Sequence, residues 1–303
     1  MDPNQFNKKT IRMKKTILIT GCSSGFGKLA AEHLAKKGHT VFATLRNTQG
    51  KNKEVAEEIK AYGQANNLKL FVVDLDVTNE TSIQNAMNEI ATKTSTIDVL
   101  INNAGYGNIG LQEAFTISSA QQMFDVNVFG ILRMNKAVLP IMRKQKSGLI
   151  INLSSGVGRL VFPFGGIYAA SKHAVEALTE SLRLELAPFG IDSVAVEPGG
   201  YGTTGFNTAI QFPDDKNVLE SYGSYAEAPY KMMQAFASSL TEQPDPMEIV
   251  SIMEELINTP FGSRKVRYPK ANVAEMLHPL NKVSEEIQGQ LGFDKLVFNF
   301  YQS

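Results

Sequence analysis

From Thr16 onward the sequence alternates short β-branched and aromatic runs with periodic segments of helical length. This alternation restricts the chain to a parallel sheet whose strands are joined by crossover helices. The runs are Thr16 to Thr20, Thr40 to Thr44, Lys69 to Val73, Val99 to Ile101, Leu149 to Leu153, Ser193 to Val196 and Lys265 to Tyr268. Helices are expected over Gly25 to Lys37, Lys53 to Tyr62, Glu80 to Thr92, Ser118 to Arg143 and Tyr168 to Phe189. In the last of these, Ala170, Ala174, Leu178, Leu182 and Leu186 form one apolar stripe that should pack against a neighbouring surface. The pattern predicts an α/β, doubly wound architecture, an about seven-stranded parallel sheet with helices on both faces.

No repeat or linker divides the chain, so residues 14–303 are expected to form one domain, preceded by a polar, aperiodic and mobile extension over residues 1–13. Whether Met13 is the natural start stays open. Residues 199–243 are rich in Gly, Tyr, Phe and Ser, interrupted by Pro213 and Pro229, and follow a late strand, a position that suits a substrate cover. A further extension runs over residues 269–303. Lys plus Arg and Asp plus Glu are equal at 30 each, which argues against nucleic acid or anionic membrane as the main partner. The single cysteine, Cys22, rules out an internal disulfide and a cysteine zinc site and suits a reducing, cytoplasmic setting. No apolar run reaches the roughly 18 residues of a membrane span or resembles a signal-peptide core, so a soluble, unprocessed protein is expected. His33, His39, His173 and His278 show no metal-ligand spacing, and no metal is assigned.

The first strand runs into Thr20-Gly21-Cys22-Ser23-Ser24-Gly25-Phe26-Gly27 and then into a helix starting near Gly25. Glycines there let the backbone turn sharply and approach a pyrophosphate, and the free N–H groups of a helix start favour the anion. The spacing Gly-x-x-x-Gly-x-Gly departs from Gly-x-Gly-x-x-Gly, but its place between first strand and first helix points to a dinucleotide. The end of the second strand selects which one. An acid there would bind a ribose 2′-hydroxyl and repel a 2′-phosphate. Ala43-Thr44-Leu45-Arg46-Asn47 contains no acid, and the Arg46 guanidinium suits the extra phosphate of NADP, with the Ser24 hydroxyl as a second donor.

These residues resemble the short-chain dehydrogenase/reductase family. The resemblance runs from Lys15 to near the end of the chain through Thr20 to Gly27, Asn102-Asn103-Ala104-Gly105, Asn127, Ser155, Tyr168-x-x-x-Lys172 and Pro198-Gly199, in the family's order. It implies a Rossmann fold, an NADP cofactor and a small-molecule carbonyl or alcohol substrate. It also implies that Gly21, Ser23, Ser24, Gly25, Phe26, Gly27, Asn103, Ala104, Gly105, Pro198 and Gly199 border the cofactor. By the same resemblance Asp76 and Val77 meet the adenine, Thr203 holds the nicotinamide carboxamide, and Lys172 binds the ribose hydroxyls. Asn127 resembles the residue that bends its helix and holds a water connected to Lys172. The segments Cys22-Ser23-Ser24, Ala43 to Arg46 and Arg267-Tyr268-Pro269 resemble the NADP-preferring branch that includes hydroxysteroid and retinol dehydrogenases. In the family, helices matching Ser118 to Arg143 and Tyr168 to Phe189 commonly form a dimer or tetramer face.

Tyr168 and Lys172 stand four residues apart, on one face of the expected helix. An ammonium close to a phenol should lower its pKa and make Tyr168 a usable general acid, and a base in the reverse direction. Ser155 can hydrogen-bond the substrate oxygen and stabilise charge developing there. Three other functions stay open: an acyl-carrier-protein ketoreductase, a non-catalytic NADP-binding redox sensor, and a nucleotide-sugar epimerase or dehydratase. The third is disfavoured by the glycine spacing. The aromatics Phe206, Phe212, Tyr222, Tyr225, Tyr230 and Phe236 suggest an apolar substrate pocket or ordinary core.

Overall fold

The computed structural model describes residues 14–239, 243–293 and 295. The expected mobile extension over residues 1–13 lies outside them. Seven parallel strands form one sheet: Thr16–Ile19 (β1), Thr40–Leu45 (β2), Leu70–Asp74 (β3), Val99–Asn102 (β4), Gly148–Leu153 (β5), Ile191–Pro198 (β6) and Arg267–Lys270 (β7). Their order is β3-β2-β1-β4-β5-β6-β7. The direction of winding reverses between β1 and β4, which opens a crevice beyond the carboxyl ends of those strands.

The helices are Gly25–Lys36 (α1), Lys53–Ala65 (α2), Glu80–Ala91 (α3), Ile117–Phe124 (α4), Gly130–Gln145 (α5), Gly166–Leu186 (α6), Phe206–Ala209 (α7), Lys216–Ser221 (α8), Ala228–Ser239 (α9), Met247–Asn258 (α10) and Ala274–Leu291 (α11). Alternate strand residues point to opposite faces, and both faces are covered. On one side Ile17, Ile19, Val41, Ala43, Val99 and Ile101 pack with Ala30 and Leu34 of α1 and Val250, Met253 and Leu256 of α10. On the other, Leu18, Phe42, Leu100 and Ile150 meet Ile83 and Ile90 of α3 and Met134, Val138 and Met142 of α5. Two-sided burial explains why the strands read as nearly unbroken apolar runs.

Three expectations are corrected. The helix foreseen over Ser118 to Arg143 is broken by a wider π turn at Asp125–Phe129 between α4 and α5. Helix α10, which supplies much of one core, was not foreseen beyond the long loop. Only the C-terminal part of the apolar stripe of α6 faces inward: Leu186 is buried in the core and Leu182 packs against it, whereas Ala170 is exposed and Ala174 and Leu178 are only partly covered. The buried positions include Ser171, Lys172, Val175, Glu176 and Thr179, because this helix turns polar groups inward to serve the crevice. The long segment after β6 carries α7, α8, α9 and a 3-10 turn at Gly223–Glu227. Among the described residues no helix is long and apolar enough to cross a membrane.

Candidate active site

The turn after β1 is shaped by two glycines. Gly21 has φ +72°, and a Cβ there would lie 2.8 Å from Ala104 Cα. A Cβ on Gly27 would come within 2.5 Å of Asn103 Nδ2 and the Gly21 carbonyl oxygen. Only glycine fits either place. Asn103 stitches this turn to the end of β4: its Nδ2 donates to the carbonyls of Thr20 (2.9 Å) and Gly21 (3.0 Å). Thr20 Oγ1 accepts from the backbone N–H groups of Asn103 and Ala104, both at 3.0 Å. Ser24 stands at the N-cap of α1 in extended backbone, with its side chain making no cap bond. The first-turn N–H groups of α1 therefore face outward for an anion. The glycine cradle and uncapped helix start fit a dinucleotide pyrophosphate.

Ser23 is half-buried and Ser24 exposed, while the Phe26 ring meets Tyr201 edge-on at 5.2 Å. Arg46 is exposed, one residue beyond β2. The neighbouring acid, Asp74 at the end of β3, turns its carboxylate to the N–H and hydroxyl of Thr48 (2.7 and 2.6 Å). Asp76 likewise accepts from the N–H and hydroxyl of Thr78 (2.9 and 2.7 Å), and Val77 is buried beneath Gly130. Thr203 is exposed. Its buried neighbour Thr204 rests on Gly25, and Gly205 lies against the Ser24 hydroxyl.

The four expected catalytic residues gather beyond β4 and β5. Asn127 is fully buried within the π turn, where its Oδ1 accepts from Tyr106 N (3.1 Å). Its Nδ2 donates to the Tyr106 carbonyl (2.9 Å) and to Ser171 Oγ (3.1 Å). The break in the helix thus delivers an amide that clamps the Gly105 loop to α6. Ser155 follows β5 and donates weakly to the Pro198 carbonyl (3.5 Å), which brings Pro198 and Gly199 to the same edge. Tyr168 lies on the first turn of α6, with its N–H donating to Asn108 Oδ1 at 3.2 Å. Lys172 Nζ donates to the Leu153 carbonyl at 2.7 Å and sits 5.8 Å from the centre of the Tyr168 ring.

One electrostatic expectation fails in this geometry. Burial pushes the Tyr168 phenol up to about 12, and the pull downward comes from a hydrogen bond with Ser155 rather than from Lys172. Burial pushes the Lys172 ammonium down to about 8, against the supporting charge of Glu176. The lysine nitrogen is engaged with the Leu153 carbonyl, 5.8 Å from the centre of the Tyr168 ring.

Sequence reasoning missed Asn108 and Ser171, which hold the first turn of α6 through Tyr168, and the buried acids Glu176 and Glu197 with Arg267. The only signal for the acids was their position, Glu176 lying one turn beyond Lys172.

A sequence model of the short chain dehydrogenase family matches residues 15–213. The chain is 42% identical over 207 residues to a 3-ketodihydrosphingosine reductase of Bacteroides thetaiotaomicron, covering 68% of this chain and 69% of that protein. Among solved structures, a short-chain dehydrogenase from Streptomyces avermitilis superposes with a TM-score of 0.74 at 29% identity, over 93% of this chain and 98% of the other. An actinorhodin polyketide ketoreductase variant solved with NADPH superposes with a TM-score of 0.69 at 26% identity, over 84% of this chain and 95% of the other. Glycine cradle, winding order and the Asn127, Ser155, Tyr168 and Lys172 cluster all agree with that match, and the chain belongs to the short-chain dehydrogenase/reductase family of oxidoreductases.

Proposed function

We propose that this protein is an NADP(H)-dependent oxidoreductase that interconverts a hydrophobic carbonyl compound and its alcohol. The observation that carries the reading is the convergence of Ser155, Tyr168 and Lys172 at the crevice beside the uncapped start of α1. The turn from Gly21 to Gly27 would hold the pyrophosphate, Arg46 and Ser24 the 2′-phosphate, and Lys172 the nicotinamide ribose. Bound there, the cofactor supplies or accepts the hydride. The Tyr168 phenol delivers a proton to the carbonyl oxygen during reduction and takes it back during oxidation. Ser155 donates a hydrogen bond to the same oxygen as charge develops on it. Asn127 fixes Tyr106 and, through Ser171, the turn that carries Tyr168.

Apolar substrates are favoured by the rings that line the approach. Phe206 lies 5.7 Å from the Tyr168 ring, Phe212 stacks on Tyr230 at 5.2 Å, and Phe164 meets Tyr225 at 6.2 Å. An adjoining cleft of about 450 Å³ is bounded by Leu111, Gln112, Val161, Phe162, Pro163, Phe164 and Gly166. The side chain of Phe236 lies outside the described residues. The names of the two reductases above suit a ketone substrate. A homodimer or homotetramer built on the incompletely covered faces of α5 and α6, and a cytoplasmic location, belong to the same proposal. NADPH oxidation with ketones and aldehydes of increasing chain length tests it. Turnover that rises with chain length is expected; tight NADPH binding with no turnover on any of them would favour a redox sensor instead.

A further inference from the structure

Behind Lys172 lies a buried ion cluster that the proposed reaction does not use. Glu176 stands one turn further along α6 and accepts from Arg267 Nε at 2.9 Å, with both side chains almost wholly shielded from water. Arg267, on β7, also reaches Glu180 at 3.0 Å and stands 3.8 Å from Glu197 on β6. Glu197 accepts from Asn281 Nδ2 of α11 at 2.7 Å, and Asn281 Oδ1 in turn accepts from Arg159 at 3.1 Å. The turn after Ser155 is seated on the same stretch of α6: a Cβ on Gly158 would lie 3.1 Å from Glu176 Cγ and 3.2 Å from the Lys172 carbonyl.

A buried ammonium is costly unless a negative charge offsets it. The direct partner of Lys172 Nζ is a neutral carbonyl, that of Leu153. From its own helix Lys172 faces Tyr168 and Glu176. From β5 and the following turn come Ser154, Ser155 and, further off, Arg159. The π turn brings Asn127 and the loop after β4 brings Gly105, while Glu197, Arg267 and Asn281 of β6, β7 and α11 surround Glu176. Of these groups Glu176 is the acid whose charge supports the ammonium: burial raises its carboxyl, and the hydrogen bond from Ser154 and the charge of Arg267 pull it back down, while Arg267 is answered by Glu180 as well.

We propose that Glu176, fixed in place by Arg267, is a positioning residue that keeps buried Lys172 in its ammonium form. The role assigned to Lys172 rests on the reductase reading above; the charge state does not. Glu176 touches neither substrate nor cofactor and acts only through Lys172.

The test is an NMR titration of protein labelled with ¹³C at the lysine ε-carbons, with the Lys172 signal identified by its loss in Lys172→Met. The wild-type signal should titrate near pH 8, so that the ammonium prevails at neutral pH. In Glu176→Gln the midpoint should fall by about one pH unit or more. Glu176→Asp, which keeps the charge, should restore most of the difference. An unchanged midpoint in a folded Glu176→Gln protein overturns the proposal, even if melting temperature drops, because that pattern marks a purely structural acid. Should Glu176→Gln not fold, a wild-type midpoint below pH 7 overturns it equally. No substrate enters the measurement, so a protein inactive on every carbonyl would defeat the reductase reading and leave this result standing.

Discussion

The ammonium of Lys172 lies 5.8 Å from the centre of the Tyr168 ring and spends its short hydrogen bond on the carbonyl of Leu153. With its phenol pushed up to about 12 by burial, Tyr168 carries its proton across the whole neutral range. Reduction, which needs that proton, should show no loss from this group until strongly alkaline pH. Oxidation, which needs the phenolate, should speed up as pH rises toward 12. Tyr168→Phe should lower turnover about 100-fold or more while NADPH affinity, followed by fluorescence, stays within about twofold. Turnover near the wild-type rate would remove Tyr168 from the chemistry.

Arg46 is exposed, so its replacement should leave folding intact and act on the cofactor alone. Arg46→Asp should reduce kcat/KM with NADPH about 10- to 100-fold, the worth of a charge-assisted contact, and narrow or reverse the preference over NADH. Kinetics with both cofactors check this, and equal use of the two by the wild type would refute the assignment of Arg46.

Lys172→Met should abolish activity and yet raise the melting temperature at pH 7. The folded protein holds this lysine near 8 against an ordinary value of 10.5, so burial of the charged form opposes folding. Stability contributed by this group is present above pH 10.5 and lost as pH falls through 8. The gain in the methionine variant should therefore reach at most ~3 kcal/mol near neutral pH and shrink toward pH 10.5. Thermal melts across that range measure it, and a variant less stable than wild type at pH 7 contradicts the sign.

Glu197 behaves in the opposite sense. Burial first, and then the charge of Glu176, push its carboxyl up to about 8 from an ordinary 4.5. Its contribution is complete below pH 4.5 and disappears as pH rises through 8. Glu197→Gln, permanently neutral, should match wild type in acid and exceed its melting temperature at pH 9. A variant that is weaker at pH 9 would mean that the carboxylate is ionised and needed.

Gly21→Ala should cost about 1–3 kcal/mol, since the left-handed backbone and the Ala104 Cα only 2.8 Å away act together. Cofactor affinity should fall with it. Urea unfolding and NADPH titration of the same sample measure both effects, and a variant as stable as wild type would show that the turn can relax.

The strands were legible because residues such as Ile17, Leu18 and Ile19 are buried on both sides of the sheet and leave no polar interruption. The glycine turn and the Tyr168 and Lys172 pair were legible because their spacing is short-range. The bend at Asn127 was legible only through the family resemblance, since nothing in Asp125–Phe129 breaks helical periodicity and the amide's partners are the distant Tyr106 and Ser171. The inward face of the first turns of α6 was not legible: there Lys172, Glu176 and Thr179 are buried while Ala170, Ala174 and Leu178 beside them remain open or partly open. Composition assigns charged residues to the surface. Only the tertiary pairing with Arg267, 91 residues from Glu176, shows otherwise.

Because Arg267 and Asn281 follow Glu176 by 91 and 105 residues, translation order matters to this protein. A ribosome that has released only the residues up to β6 has delivered Tyr168, Ser155 and the glycine turn, but Glu176 still lacks the guanidinium that compensates it. Premature termination near Ser263 would leave six paired strands around Glu176 without its buried cation, a product suited to quality-control proteolysis rather than partial activity.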